Sequence, residues 1–452
     1  MTPGRLQAVQ AQIGLGQREF WSPSFLTNLP AIRHRERIPP ETVAAMVPTW
    51  HTVWHPPRPF RIAVYENVFV AQEGLVLFAD GRVVTETIEQ HTAAAIDAAQ
   101  LAVAEAVMRG CQTVHGQVVL CRKRGASVYG HWLVELLAKA WLARYLPGDK
   151  LYLVQAVPGR MSAVMRSSLA AIGIAADAIV EASTDPVWVE RLICVHGLTE
   201  HGAYMSPLVV ECLQAIAGSV AGSVAGSGAP GSATSIFVQR PAGSARCLAD
   251  EGRIQDLARR AGYTVVDPST LSFIEQVALF KSARRIVGLM GSALANLAFV
   301  QPGAEIYVLT PANMPDTFYW FLSNHTGARM IDIRCRVTSG GGASWDLPVA
   351  LDAGDDVIFG CPWPLPSQVT DTIFDPVYYA ARNADVVAAG IDPLAHYMTC
   401  GWREGRAPSA SFDGDAYLSR HTDVRDAGMN PLFHYLRWGR AEGRSVLPVA
   451  GP

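Results

Sequence analysis

Short apolar runs alternate with amphipathic stretches along the second half of the chain. "SIFVQR" and "YTVVDP" have the length and β-branched content of buried strands, whereas "DEGRIQDLARRAG" and "SFIEQVALFKSA" space their apolar residues as helices do. Strands that alternate with helices predict a parallel sheet with helices on its faces. The same alternation runs up to about residue 215. We therefore expect an α/β protein with two facing Rossmann-like lobes that leave a cleft between them.

A low-complexity segment divides the two lobes. "IAGSVAGSVAGSGAPGSATS" consists almost entirely of Gly, Ala and Ser, the composition of a flexible connector. The predicted organisation is an N-terminal lobe over residues 1–215, a linker over 216–235 and a C-terminal lobe over 236–370. A small all-α region over residues 371–446 completes it.

That last region is a tandem repeat. Phe374 and Phe412 open two copies that align without a gap at a step of 412 − 374 = 38 residues. Each copy is expected to form two short helices. His396 and His434 occupy the same place in each copy, and we interpret them as packed, hydrogen-bonded residues, with metal ligation as the alternative.

The stretch "GLMGSALANLAFVQPGAEIYVL" (288–309) indicates strand, glycine turn, helix and strand. Gly288 and Gly291 would let the backbone approach a ligand, and the amide of Ser292 would open a helix whose positive end suits a diphosphate. Arg240 and Arg246 follow the first strand of this lobe, at the sheet edge where ligands bind. The alternative is a simple tight turn, with the arginines paired to Asp250 and Glu251.

Ser272 and Glu275 have the spacing of a capping box, which explains both residues without a ligand. A capped helix end at the same sheet edge is also placed to meet a donor molecule. Gln276 remains available for such a contact.

In the first lobe, "YGHWLVELLAK" places His131, Glu135 and Lys139 four residues apart on one face of an apolar helix. One interpretation is a solvated stripe with an ordinary Glu–Lys pair. The other is that His131 is a general base, with Glu135 either orienting it or itself taking the proton.

Composition narrows the class of protein. The formal net charge is −3, from 37 basic and 40 acidic residues, so a nucleic-acid partner is not expected. The eight cysteines contain no C-x-x-C pair, which favours a reducing compartment and neither zinc nor disulfides. No secretory leader and no apolar run of about 18 residues is evident. We expect a cytoplasmic protein, at most peripheral to the inner face of the membrane.

Four segments, in order, resemble glycosyltransferase family 61 as found among bacterial polysaccharide gene products. They are "VYGHWLVELLAKAWL", "FVQRPAGSARCLADE", "VVDPSTLSFIEQVALFKSARRIVG" and "GLMGSALANLAFVQPGAEIYVL", and the resemblance spans roughly residues 60–335. The C-terminal repeat also resembles one appended to bacterial glycosyltransferases.

The resemblance implies the two-lobed GT-B architecture and transfer with inversion at the anomeric carbon. It implies a nucleotide-sugar donor and a polysaccharide or lipid-linked glycan acceptor, without a cofactor or a catalytic metal. The sugar would be a hexosyl, pentosyl or N-acetylhexosaminyl group. His131 and Glu135 match the family's first-lobe motif. The donor-side motifs are matched by Arg240, Arg246, Glu275, Gln276, Gly288, Gly291, Ser292 and Asn296.

The chain also departs from the family pattern. Met290 stands where the family has histidine, and Val308 stands where an acidic residue is common. An alternative function is therefore a non-catalytic glycan-binding or assembly subunit, with the repeats as an interaction module for a protein partner. A nucleotide-sugar epimerase on the same two-lobed fold is a third hypothesis.

Overall fold

A computed structural model describes residues 19–220, 234–241, 243–244, 246–338, 347–352, 355, 358–359 and 373–446. Its fold is a mixed α/β arrangement with two large sheets. None of the helices in these residues combines the length and the apolar character that crossing a bilayer requires.

The strands are β1 Glu19–Ser22, β2 Phe25–Leu26, β3 Ala31–Arg33, β4 Trp54–His55, β5 Arg58–Ala71, β6 Leu75–Leu77, β7 Gln112–Cys121, β8 Leu151–Gln155, β9 Ile179–Ala182, β10 Val187–His196, β11 Thr199–Glu200, β12 Tyr204–Met205, β13 Ser235–Val238, β14 Thr264–Val266, β15 Arg285–Leu289, β16 Glu305–Pro311, β17 Arg329–Val337 and β18 Val349–Ala350. The helices are α1 Pro40–Trp50, α2 Ala93–Arg109, α3 at 129–143, α4 Arg160–Ala171, α5 Pro207–Val220, α6 Glu251–Arg260, α7 Phe273–Ser282, α8 Phe318–Thr326, α9 Pro376–Arg382, α10 Ala384–Ala388, α11 at 393–401, α12 Gly414–Arg420, α13 Thr422–Asp426 and α14 at 431–439. Short 3₁₀ helices cover Arg35–Arg37, Thr85–Thr87, Ala176–Ala178, Pro268–Thr270 and Ser292–Phe299.

The first sheet has the strand order β1-β5-β10-β7-β8-β9, with β6 paired to β5. The strands from β10 to β9 are parallel, whereas β1 and β5 are antiparallel additions at one side. Strands β7 and β10 read as nearly continuous apolar runs in their buried parts, as expected where both faces of a parallel sheet are covered. We call this sheet with its helices the first half.

The second sheet has the order β14-β13-β15-β16-β17, all parallel, with the antiparallel β18 beside β17. Numbered from β13, this is the 2-1-3-4-5 order of doubly wound folds. We call this sheet with its helices the second half. A single buried apolar cluster joins the halves, from Trp132 and Trp141 of α3 to Phe273 and Phe299 of the second half.

The N-terminal segment crosses between the halves. Strand β1 pairs with β5 of the first sheet, and β3 then pairs in parallel with β17 of the second sheet. The predicted N-terminal lobe over residues 1–215 thus contributes a strand to the second sheet. Sequence pattern alone does not assign a three-residue strand to a sheet, because its partner residues lie 300 positions further along the chain.

Helix α5 continues into the predicted linker over 216–235. Ile216, Ala217 and Val220 are buried at helical spacing and keep the helix intact to Val220. Residues 221–233 of that linker lie outside the described residues. The linker prediction was therefore wrong for 216–220, where apolar packing outweighs the low helix propensity of the Gly and Ser positions.

Each C-terminal copy contains three helical segments rather than two. Helices α9 and α10 are separated at Asn383, and α12 and α13 at His421, because both residues leave helical geometry (φ −130° and −111°). The predicted packing of the histidines is confirmed. His396 Nδ1 lies 2.9 Å from the Tyr379 hydroxyl, and the equivalent pair in the second copy, His434 and Tyr417, has the same separation.

Candidate functional site

The carboxyl ends of β13 and β15 form the point at which the strand order of the second sheet reverses. After β13 the chain continues to β14, which lies on one side of β13, whereas after β15 it continues to β16, on the other side. The connections that follow β13 and β15 therefore run in opposite directions and leave a crevice between them. In open α/β sheets, ligands bind in the crevice at such a switch point. Gln239 and Arg240 follow β13, and Met290 and Gly291 follow β15.

A cleft of about 790 Å³ lies over this switch point. Its volume is within the range of small-molecule sites. The first half contributes Ser127, Tyr129, Arg160, Met161, Ala163, Val164 and Ser167 to its lining. The second half contributes residues after β13 and β15, the 267–273 loop, and Gln276, Ser292 and Ala293. Both halves therefore face a ligand held here.

The glycine turn allows Arg240 to approach the backbone closely. Gly291 has extended backbone (φ 171°), but a Cβ atom on it would lie only 2.0 Å from Arg240 Nη1. Gly288 has a packing role inside β15, since a Cβ there would come within 2.9 Å of Leu294 Cδ2 and 3.1 Å of Val238 Cβ. Gly291 is thus the glycine that the cleft requires, and Gly288 supports it from behind.

Arg240 and Arg246 converge on one carbonyl group. Arg240 Nη1 donates to the Met290 oxygen at 3.1 Å, and Arg246 Nη1 donates to the same oxygen at 3.0 Å. Arg240 lines the cleft, whereas Arg246 is only 7% exposed and lies behind it. These two contacts place the positive charge of both arginines beside the turn that ends at Ser292.

Ser292 begins the helix that was predicted after the glycine turn, and this helix is of the 3₁₀ type. The helix spans Ser292–Phe299, and the amide of Leu294 donates to the Gly291 carbonyl at 2.9 Å, an i→i+3 bond. The first amides of a 3₁₀ helix lack partners within the helix, as in an α-helix. Ser292 and Ala293 line the cleft, so this helix start faces its interior.

Asn296 and Gln276 form a buried polar network with Tyr129. The Tyr129 hydroxyl donates to Asn296 Oδ1 at 2.6 Å, and Asn296 Nδ2 donates to Gln276 Oε1 at 2.9 Å. Asn296 is fully buried, and its Nδ2 also donates to the Ala293 carbonyl. Burial raises the pKa of Tyr129. This network shapes the cleft wall, and Gln276 and Tyr129 are its members that reach the lining.

Glu275 is engaged in the capping box that the sequence predicted. Its carboxylate accepts from the Ser272 amide at 2.8 Å, and the Ser272 hydroxyl accepts from the Glu275 amide. These bonds lower the pKa of Glu275. Its role beside the cleft is to fix the start of α7, where Ser272 and Phe273 line the wall.

His131 and Glu135 meet in the first turns of α3. Helix α3 contains a π turn over Trp132–Leu136, a feature that often accompanies functional sites. His131 Nδ1 lies 3.0 Å from Glu135 Oε1, and Lys123 Nζ contacts Glu135 Oε2. Glu135 is only 2% exposed, which excludes the predicted solvated stripe. Lys123 rather than Lys139 contacts the carboxylate because the chain from β7 passes beside α3.

A second imidazole joins this pair. His201 Nδ1 lies 3.3 Å from the same Glu135 Oε1, and the rings of His131 and His201 are 5.4 Å apart. Burial alone would raise the pKa of Glu135. The hydrogen bonds from both histidines and the charge of Lys123 outweigh burial, so the pKa of Glu135 lies well below its usual range.

The side chains of His131, Glu135 and His201 are close enough to hold a metal ion. The charge balance favours a hydrogen-bonded cluster instead. The Lys123 ammonium already neutralises the Glu135 carboxylate. A divalent cation bound here would be repelled by that ammonium a few ångströms away, and its other ligands would be neutral imidazoles only.

Met290 and Val308 lie together on the opposite side of the glycine turn. Both side chains line a small cavity of about 10 Å³ with Asp316, Tyr319 and others, and they are 3% and 1% exposed. Two of the positions at which the chain departs from the family pattern therefore line the same cavity.

Four residues of the candidate site were not identified from the sequence: Lys123, Tyr129, Arg160 and His201. Tyr129 is the first residue of the quoted segment "YGHWLVELLAK", so its position was a usable signal. His201 is far from that motif in sequence, in a turn between two-residue strands, and only the fold brings it to Glu135. Arg160 begins α4 and donates to the Ser269 carbonyl across the cleft.

Residues 129–307 match the family model described as Glycosyltransferase 61. The matched range begins at Tyr129, includes Glu135 and Arg240, and ends within β16. The match supports a glycosyltransferase of family 61. No curated protein matches the chain.

Proposed function

We propose that the chain is an inverting, metal-independent glycosyltransferase with the GT-B arrangement. It moves a sugar from a nucleotide-sugar donor to a polysaccharide or lipid-linked glycan acceptor, as bacterial capsule and exopolysaccharide synthesis requires. The observation that carries this proposal is the cleft at the β13/β15 switch point, which lies within the range matched to the family and is lined from both halves.

The donor diphosphate binds at the start of the Ser292–Phe299 helix. The amides of Ser292 and Ala293 and the Arg240 guanidinium provide hydrogen-bond donors and positive charge where the leaving group becomes charged. Arg246 supports the Met290 carbonyl from behind. The chain's own cations and amides can therefore stabilise the departing nucleoside diphosphate without a metal.

His131 is the base. An ionised Glu135 can only accept hydrogen bonds, so the contact at 3.0 Å places a proton on His131 Nδ1 and leaves the lone pair on Nε2. In the reaction, Nε2 takes the proton of an acceptor hydroxyl, the hydroxyl oxygen attacks the anomeric carbon from the face opposite the diphosphate, and the diphosphate leaves. Glu135 orients the imidazole, and its three donors, which outweigh the effect of burial, lower its pKa and make it a poor base.

The C-terminal copies are proposed to bind a protein partner of the assembly system. Exposed apolar side chains support this role: Val377, Val387 and Trp438 are 57%, 55% and 39% exposed. The copies also pack against the N-terminal segment through Ser24 and Asp392, so a partner bound there would be fixed relative to the cleft. A cytoplasmic location, at most peripheral to the membrane, fits this set of partners.

The test is donor turnover by the purified chain. Nucleotide sugars are incubated with glycan acceptors, with and without chelator, and the released nucleoside diphosphate and the anomeric configuration of the product are measured. The proposal predicts release that is unaffected by chelator and a product of inverted configuration. Donor binding without turnover by any nucleotide sugar would instead favour the glycan-binding or assembly subunit.

A further inference from the structure

We propose that His201 is a positioning residue of this site, which holds the Glu135 carboxylate in place for His131 and links it to the donor-binding turn. This inference rests on the proposed function for its catalytic consequence. Its structural part concerns only His201, Glu135 and the turn that carries His201.

The Glu135 carboxylate is held on every side. Oε1 is shared by His131 and His201, at 3.0 Å and 3.3 Å, and Oε2 contacts Lys123. A carboxylate that is 2% exposed needs such partners to remain ionised. His201 is 49% exposed and is thus the partner nearest to solvent. Without it, Oε1 would have one donor, and water would have access to the carboxylate from that side.

The turn that carries His201 is fixed by Thr317 of the second half and by Thr49 of α1. The Gly202 carbonyl accepts from the Thr317 hydroxyl at 2.6 Å and from the Thr49 hydroxyl at 3.2 Å. Thr317 is the residue before α8, and Tyr319 in the first turn of α8 donates to the Gly291 carbonyl at 2.7 Å. One helix start therefore contacts both the His201 turn and the donor-binding turn.

The charges around His201 set its protonation. Glu135 and Asp316 are negative neighbours, and Lys123 is a positive neighbour. The hydrogen bond to Glu135 raises the pKa of His201 against the opposing effect of burial. A protonated His201 can only donate, which keeps the shared Glu135 oxygen an acceptor for both rings. His131 is then the ring left to exchange a proton with the acceptor.

The structural part is tested by NMR of the full chain labelled with ¹⁵N-histidine. The resonances of His201 are assigned by their loss in H201N, and H115N, at an exposed histidine beside Glu190, is the control. We expect the pKa of His201 to lie above that of an ordinary histidine and to fall toward the ordinary value in E135Q. A His201 titration unchanged by E135Q would overturn the proposal. The wild type and H201N are also loaded with Zn²⁺ and dialysed against chelator. If the wild type retains the metal and H201N does not, His201 is a metal ligand and the proposal is overturned.

The catalytic part is tested with two variants. H201L removes the donor, whereas the amide of H201N can replace Nδ1–H. We expect kcat for donor turnover to fall roughly tenfold or more in H201L, with its pH dependence shifted and KM for the donor little changed, and to recover largely in H201N. An unchanged kcat and pH profile in H201L would overturn the proposal. A wild type without donor turnover would count against the proposed function alone, because the NMR result stands independently.

Discussion

The Tyr129 hydroxyl donates to Asn296 Oδ1 at 2.6 Å and so joins the first helical turn of α3 to the 3₁₀ helix that follows the glycine turn. Next to it, a Cβ atom on Gly130 would lie 3.7 Å from the Cα of Ser292, which shows how closely the two backbones pass. Helix α3, which carries His131, and the glycine turn are therefore held together beside the cleft.

Tyr129→Phe removes this hydrogen bond and leaves the buried Asn296 oxygen without its partner from the first half. We expect the free energy of unfolding to fall by about 1–3 kcal/mol. Urea denaturation at an unchanged m-value measures the change. Tyr145→Phe is the matched control, because the Tyr145 hydroxyl meets Arg144 at an exposed position and should cost less than about 0.5 kcal/mol. Equal effects of the two substitutions would contradict the assigned role of Tyr129.

Gly291→Ala should abolish nucleoside diphosphate binding while the protein remains folded. The new Cβ would displace the Arg240 guanidinium from the turn, since the two cannot occupy sites 2.0 Å apart. Isothermal titration calorimetry with the nucleoside diphosphate measures the loss. Gly252→Ala is the control: that glycine lies in α6 with open space around it, so alanine should stabilise the helix by roughly 0.5–1 kcal/mol and leave binding unchanged.

Arg160→Ala should weaken donor binding because this guanidinium lines the cleft from the first half and spans to the Ser269 carbonyl. We expect an increase in the donor Kd of roughly tenfold, as for loss of one charge-assisted hydrogen bond. Arg166→Ala is the control. It removes an arginine from the same helix that pairs with Glu181 at 2.8 Å and is not among the residues that line the cleft. A Kd that is the same in both variants would exclude Arg160 from the donor site.

His55 should make the fold sensitive to mild acid. Burial lowers the pKa of His55 to about 4, against the usual 6.5, and its ring stacks on Phe25 at 4.3 Å. Between these pH values the unfolded chain binds a proton that the folded chain does not, so stability is present above pH 6.5 and is lost as the pH falls toward 4.

The measurement is the slope of unfolding free energy against pH. His196, which also has its pKa lowered to about 4, contributes in the same direction. His55→Phe keeps an aromatic ring against Phe25 and removes one of these groups, so the slope between pH 6.5 and 4 should decrease by up to one proton. A variant with the wild-type slope would show that His55 does not titrate as a buried neutral imidazole.

Local patterns predicted the elements that position the site. The capping box at Ser272 and the strands on either side of the glycine turn follow from short-range rules of capping and apolar periodicity. The histidine packing in the C-terminal copies followed because a repeat preserves the residues of its own core.

Long-range contacts were not predictable in this way. The pairing of β3 with β17 and the approach of His201 to Glu135 depend on the assembled fold. The π turn in α3 also departs from the regular spacing on which the His131–Glu135–Lys139 stripe was based, and Lys123, which lies outside this stripe, contacts the carboxylate. These residues are visible in the sequence, but no periodic pattern indicates which of them contact each other in the fold.

The most direct test of the central claim is thermal melting of the wild type and Arg240→Ala with a panel of nucleoside diphosphates and nucleotide sugars, with and without chelator. A ligand that binds only the folded state raises the melting temperature. We expect one nucleotide to raise the melting temperature of the wild type, with or without chelator, and to have no effect on Arg240→Ala. No shift of the wild type by any of these ligands would contradict a donor site at the β13/β15 cleft.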